Sequence, residues 1–147
     1  MNPIQIICVL LIFSIHDDLL IGKWKMYRNE PMENILTSKR FQMEDEETKS
    51  QLAETFSKVL NGSYYHFAKD TVRFTDYKNN EIIELKGLWW TDGDTLVIGQ
   101  LQKMSVQKYL ITKLSNTELH MKMINPRDGV PFKSSMIFKK EELMDFD

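Results

Sequence analysis

The 147-residue sequence predicts an all-β fold: an eight- to nine-stranded antiparallel up-and-down barrel with one inserted helix near residues 45–60. Two observations carry this. From residue 63 onward apolar and polar side chains alternate with a period of two, broken at short intervals by turn-forming residues. Before that, Gly22-Lys23-Trp24 opens a first strand behind an apolar leader. Gly22 and Trp24 share a face of that strand, so a large indole stands beside a residue with no side chain. Such a pair suits a close-packed corner around which later strands close. Closure hides the edges of an up-and-down sheet, and eight strands leave room inside for packed side chains or one small ligand.

Length and composition bound the problem. The chain is long enough for one domain with a real core. Net charge is −2 and both signs are dispersed, which argues against a nucleic-acid partner; Lys39-Arg40 and Lys139-Lys140 are the only adjacent basic pairs. Cys8 is the single cysteine, so no intramolecular disulfide can form. Residues 1–15 carry no charged side chain, and Ile4 to Ile15 is apolar except for Gln5 and Ser14. That run is too short to span a bilayer as a helix, but it matches the core of a signal peptide. The expected organisation is a leader over 1–15, a barrel over 19–140 and an acidic tail over 141–147, in an exported protein, periplasmic or secreted, with no stable membrane span. A buried helix or strand is the alternative for the leader.

The elements follow in order. Residues 20–28 form a strand with Trp24 and Met26 on one face and Lys23, Lys25 and Tyr27 on the other; Asn29-Glu30-Pro31 ends it. Residues 35–43 suggest a second short strand with Phe41 and Met43 on one side. Residues 45–60 form the helix. Asp45 or Thr48 caps it, Leu52, Phe56, Val59 and Leu60 make one apolar stripe, and Asn61-Gly62 stops it. Tyr64–Phe67 and Thr71–Tyr77 are strands joined by Ala68-Lys69-Asp70, with Val72 and Phe74 sharing a face. After the Lys78-Asn79-Asn80 turn, Glu81–Trp90 sets Ile83, Leu85, Gly87 and Trp89 against Glu84 and Lys86. Thr91-Asp92-Gly93-Asp94 is a hairpin turn into Thr95–Leu101, whose inward face the pattern leaves open. Gln107–Lys113 points Tyr109 and Ile111 inward, and Thr117–Ile124 does the same with Leu119, Met121 and Met123. Beyond Asn125–Gly129, the last strand is expected over Val130–Lys139, with Val130, Phe132, Ser134, Met136 and Phe138 inward.

Several short stretches then resemble the lipocalin-like barrels, especially the small exported kind of Bacteroidetes-type bacteria. They are Gly22-Lys23-Trp24 behind a leader, Tyr65-His66-Phe67-Ala68-Lys69-Asp70 turning into a strand, and Gly87-Leu88-Trp89-Trp90 followed by Asp92-Gly93-Asp94-Thr95-Leu96. Tyr109 to Ser115 before Glu118-Leu119 completes the set. The resemblance covers most of residues 19–139 and implies an antiparallel barrel with a central cavity for a small apolar ligand. It also implies a basic side chain near the end of the last strand packed over the first-strand Trp24; with no Arg there, Lys139 or Lys140 has to serve. Thr75-Asp76-Tyr77 looks like a familiar lipocalin tripeptide but comes too early in the strand order, so it is read as a strand end. The helix at 45–60 differs from the family's usual helix, which follows the barrel.

No chemistry-bearing constellation emerges. His16, His66 and His120 lack metal-ligand spacing, and Asp92-Gly93-Asp94 lacks the further oxygen ligands of a calcium loop. No serine sits in a nucleophile elbow, and the acids at 44–47 are explained by the helix N-terminus. The expectation is therefore no catalytic residue, no metal, no cofactor and no enzyme. The ligand-binding candidates are Met26, Phe74, Leu85, Trp89, Tyr109, Met121, Ser134 and Met136, with Trp24 as a plug at one closed end. Tyr109 and Ser134 put hydroxyls on apolar inward faces, where they could orient a ligand or bond to each other, to backbone or to water. The predicted function is non-enzymatic binding of a small apolar molecule in the barrel interior. The alternative is a filled-core interaction or structural module acting through its surface or the 45–60 helix, with an unknown protein partner.

Overall fold

Eight antiparallel strands close on themselves in sequence order, β1 to β8, with β8 paired back onto β1. The structure is a computed structural model that describes residues 17–142; the leader at 1–15 and the tail beyond Glu142 lie outside the described residues. The strands are β1 (Gly22–Asn29), β2 (Tyr64–Phe67), β3 (Thr71–Lys78) and β4 (Glu81–Asp92), then β5 (Thr95–Gln100), β6 (Ser105–Leu114), β7 (Glu118–Met123) and β8 (Met136–Lys140). Three helices, α1 (Glu30–Leu36), α2 (Lys39–Gln42) and α3 (Glu46–Gly62), are inserted between β1 and β2.

The turns form where the local chemistry demands them. Asn79 and Asn80 both take positive φ in the two-residue β3–β4 hairpin, and Gly93 does so between β4 and β5. The open question at β5 is resolved by register. Leu96, Ile98 and Gln100 point inward, while Val97 pairs with Trp90 on the outer face, where the Trp90 ring lies against Gly99.

Two predicted strand segments are corrected. Residues 35–43 are not a strand. The Asn29 side chain accepts from Met32 N at 3.1 Å and Pro31 stands in the first turn of α1. Ser38 then accepts from Phe41 N at 3.2 Å to start α2. These caps satisfy first-turn N–H donors that have no intrahelical partner, and so favour helix over strand here. The last strand is also shorter than predicted, because Pro131 lacks an N–H and makes only an isolated bridge to Ile124. Glu30 then claims the next backbone groups: Ser135 N donates to its carboxylate at 2.9 Å, and Ser135 O accepts from its N at 3.1 Å. Val130 and Phe132 are therefore exposed, and Ser134 lies outside the barrel, its hydroxyl accepting from Asn34 Nδ2 at 2.9 Å.

Helix α3 matches its prediction at the start, where Asp45 accepts from Thr48 N at 2.7 Å. It ends differently. Neither Asn61 nor Gly62 adopts positive φ, and the chain leaves the helix through extended Ser63. Gly62 serves close approach instead, since a Cβ there would stand 3.1 Å from Ile82. No residue of α3 is fully buried; its apolar stripe lies half-covered over one end of the barrel.

Candidate functional site

The two ends of the barrel are built differently. At one end the interior is solid. Trp24 is wholly buried, its Nε1 donating to Leu20 O at 2.8 Å from the helical turn that precedes β1. Lys140 Nζ sits 5.2 Å from the centroid of its ring, within cation–π range. Gly22 makes that possible: its φ is +127°, and a Cβ on it would lie 2.7 Å from Lys140 Cε. Phe67 and Trp89 meet edge-on at 5.2 Å beside this plug, and Trp89 Nε1 donates to Ala68 O at 2.8 Å. Leu96, Leu119 and Phe138 complete the packing.

At the other end the core stops short of the rim. A cavity of about 310 Å³ opens there, beneath the C-terminal turn of α3, which contributes Val59 and is followed by Ser63. Met26 N donates to Ser63 O at 3.0 Å and fixes the helix end to β1. The cavity has two unlike walls. Met26 on β1, Met123 on β7 and Met136 on β8 form an apolar wall of three adjacent strands. Asp76 on β3, Gln100 on β5 and Gln107 on β6 face it from the polar side. Tyr65, Phe74 and Tyr109 form the floor.

The floor is an ordered hydrogen-bond chain. The Tyr65 hydroxyl donates to Tyr109 at 3.2 Å, and the Tyr109 hydroxyl donates to Gln107 Oε1 at 2.7 Å. The Tyr65 ring is stacked on Phe74 at 6.0 Å and meets Phe138 edge-on at 5.3 Å. Burial pushes the Tyr65 phenol well above the ordinary tyrosine value, helped by Tyr109 and by the negative charge of Asp76. Burial and Asp76 also raise Tyr109, against an opposing hydrogen bond from Tyr65. Both phenols are thus held neutral. At the rim Lys103 Nζ reaches Asp76 Oδ2 at 3.3 Å, linking the β5–β6 turn to β3. Gln100 Oε1 is buried and accepts no hydrogen bond.

Of the predicted ligand-binding residues, Met26, Phe74, Tyr109 and Met136 line this cavity. Leu85, Trp89 and Met121 lie deeper, within the packed core. Ser134 does not join them, because its backbone is outside β8. Sequence reasoning missed Tyr65, Asp76, Gln100 and Gln107, and read Met123 as inward without placing it among the ligand-binding residues. The signal was available: Asp76 shares the parity of Val72 and Phe74, Gln100 that of Leu96 and Ile98, and Gln107 that of Tyr109. A wider concavity of about 580 Å³ lies outside the barrel between α3 and the β3–β4 hairpin, bordered by Gln51, Glu54, Lys58, Tyr77 and Asn80. Its polar, solvent-facing border offers little apolar surface to bury.

No protein-family model matches the chain, and no curated protein matches it. Solved structures do. A lipocalin-like protein from Bacteroides uniformis matches at 15% identity with a TM-score of 0.53, over 84% of this chain and 99% of that one. The fold is lipocalin-like. An uncharacterized protein from Bacteroides eggerthii also matches, at 11% identity and a TM-score of 0.47, over 82% of this chain and 98% of that one. Of the two lysines at the end of β8, Lys140 rather than Lys139 covers the first-strand indole. Lys139 instead stands 3.7 Å from the centroid of the outward-facing Tyr27 ring.

Proposed function

We propose that this barrel is a non-enzymatic carrier or receptor for a small, largely apolar molecule held in the cavity at its α3 end. The observation that carries the reading is the asymmetry of the interior. One end is plugged by Trp24, whereas the other leaves about 310 Å³ between a methionine wall, an aromatic floor and a polar wall of Asp76, Gln100 and Gln107. That volume falls at the lower end of the range for small-molecule sites, and burial of apolar ligand surface there is worth about 25 cal/mol per Å². Methionine side chains adapt to irregular ligand shapes. The half-covered helix α3 borders the cavity with Val59. Burial keeps Tyr65 and Tyr109 protonated, so the floor offers a ligand neutral hydrogen-bonding groups. Export is the accompanying proposal, supported by the uncharged apolar run at residues 1–15.

The test is fluorescence titration with an environment-sensitive apolar fluorophore, comparing the wild-type protein with Met136→Trp. The larger indole should fill the void and abolish the enhancement while leaving the far-ultraviolet circular dichroism unchanged. Equal enhancement in the folded variant would place the fluorophore elsewhere and refute the reading.

A further inference from the structure

Binding of an apolar molecule does not account for Gln100. The residue is 6% exposed and lines the cavity, yet its Oε1 is buried and no donor reaches it. Buried polar atoms in folded proteins are nearly always paired, and an unpaired one disfavours the state that contains it. Neither cross-strand neighbour supplies the missing donor. Gly87, opposite on β4, has no side chain, and Ser105, opposite on β6, makes no hydrogen bond to it. The terminal torsion of a glutamine is soft, so turning the amide over brings this oxygen to the cavity that the residue already borders.

We infer that Gln100 is the head-group seat of this cavity, and that its ligand is an uncharged amphiphile whose head carries an O–H or N–H donor, an alcohol or an amide. The inference rests on the binding reading above and specifies its ligand. The acceptors around the seat are Gln100 Oε1 once the amide is turned, the Gln107 Oε1 that already accepts from Tyr109, and the carboxylate of Asp76, set against the amide N–H groups of the two glutamines. An anionic head would meet acceptors and a negative charge, and the cation at the rim, Lys103, is already engaged by Asp76 at 3.3 Å. A cationic head would have to leave water for a site whose carboxylate is already compensated. A neutral donor satisfies Gln100 at the least desolvation cost. Its apolar body then lies against the wall formed by Met26, Met123 and Met136. The volume of about 310 Å³ corresponds to roughly ten water volumes, hence a ligand on the order of ten non-hydrogen atoms.

The experiment is displacement of the apolar fluorophore from the full-length protein by four probes of matched size: n-nonanol, its isomer octyl methyl ether, n-nonanoate and n-nonylammonium. The ether keeps an acceptor but has no donor. Nonanol should compete about tenfold more tightly than each of the other three, the scale expected for satisfying one buried acceptor. Gln100→Leu should erase the advantage of nonanol over the ether. It should also raise the melting temperature of the ligand-free protein, because it removes the unpaired oxygen. Gln100→Met, which keeps the length of the side chain, should behave in the same way. If nonanol and the ether compete equally in the wild type, or if their ratio survives both substitutions, Gln100 is not the seat while the cavity reading stands. Tighter binding of nonanoate overturns the assigned polarity. If the fluorophore itself does not bind in a manner blocked by Met136→Trp, the cavity reading fails and this inference falls with it.

Discussion

Replacing Trp24 by alanine removes a wholly buried indole from the closed end of the barrel. Truncating a buried aromatic side chain to alanine costs about 3–5 kcal/mol through lost transfer energy and the cavity left behind. Two further losses fall within that total. Leu20 O forfeits its 2.8 Å donor, and Lys140 forfeits the ring it covers at 5.2 Å. For a domain of about this size each kcal/mol moves Tm by about 2–4 °C, so the variant should melt on the order of 10 °C lower. Urea unfolding followed by far-ultraviolet circular dichroism is the assay, since tryptophan fluorescence changes with the substitution. Trp24→Phe separates the terms: it keeps most of the apolar volume, drops the N–H, and should cost about 1–3 kcal/mol by leaving the Leu20 carbonyl unpaired. Lys140→Ala should be mildly destabilising in the wild type and silent in Trp24→Ala, because its partner is already gone. A Trp24→Ala variant within about 1 kcal/mol of wild type would refute the plug.

Two other outcomes test the same framework. Gly22→Ala places a Cβ at 2.7 Å from Lys140 Cε on a residue with φ of +127°. It should lower stability by about 1–3 kcal/mol through backbone strain, and an unchanged denaturation midpoint would mean that Gly22 is not required there. The second outcome concerns pH. The folded-state pKa values of Tyr65 and Tyr109 lie above the ordinary tyrosine value of 10.0. Their contribution is therefore fully present below about pH 10 and is lost as pH rises through the folded values. Phenolate absorbance from these two tyrosines should appear only with unfolding, and Tyr65→Phe/Tyr109→Phe should remove that late component. Smooth ionisation of all five tyrosines in the folded protein would contradict their burial.

Much of the barrel was legible because most strands obey one local rule, alternation across a half-buried sheet. Thr117–Ile124 and Glu81–Trp90 read cleanly, since each carries charged side chains against apolar ones. Two segments did not, for different physical reasons. The residues at 35–43 are folded by Asn29 and Ser38 caps, which outweigh a weak strand pattern. The segment before β8 is decided by Glu30, 105 residues earlier in the chain, whose hold on Ser135 no local pattern reveals. The Trp24–Lys140 pair was anticipated only through family resemblance, because sequence spacing alone does not bring residues 24 and 140 together. Within the candidate site, Met26, Phe74, Tyr109 and Met136 are legible as apolar or aromatic residues at inward positions. Asp76, Gln100 and Gln107 are not legible on that criterion, because they occupy inward positions with polar groups. Polar residues at core parity are the ones most informative about a ligand, since a packed core has no use for them.

Entry of a small molecule at the α3 end of the barrel is tested most directly by methionine methyl NMR. The methionines among the described residues sample both the cavity and the outer surface. On titration of the labelled full-length protein with n-nonanol, the methyl resonances of Met26, Met123 and Met136 should shift together and saturate. Those of Met43 and Met104, 86% and 94% exposed, should stay in place. Shifts confined to Met43 and Met104, with the three cavity methyls unmoved, would contradict the account.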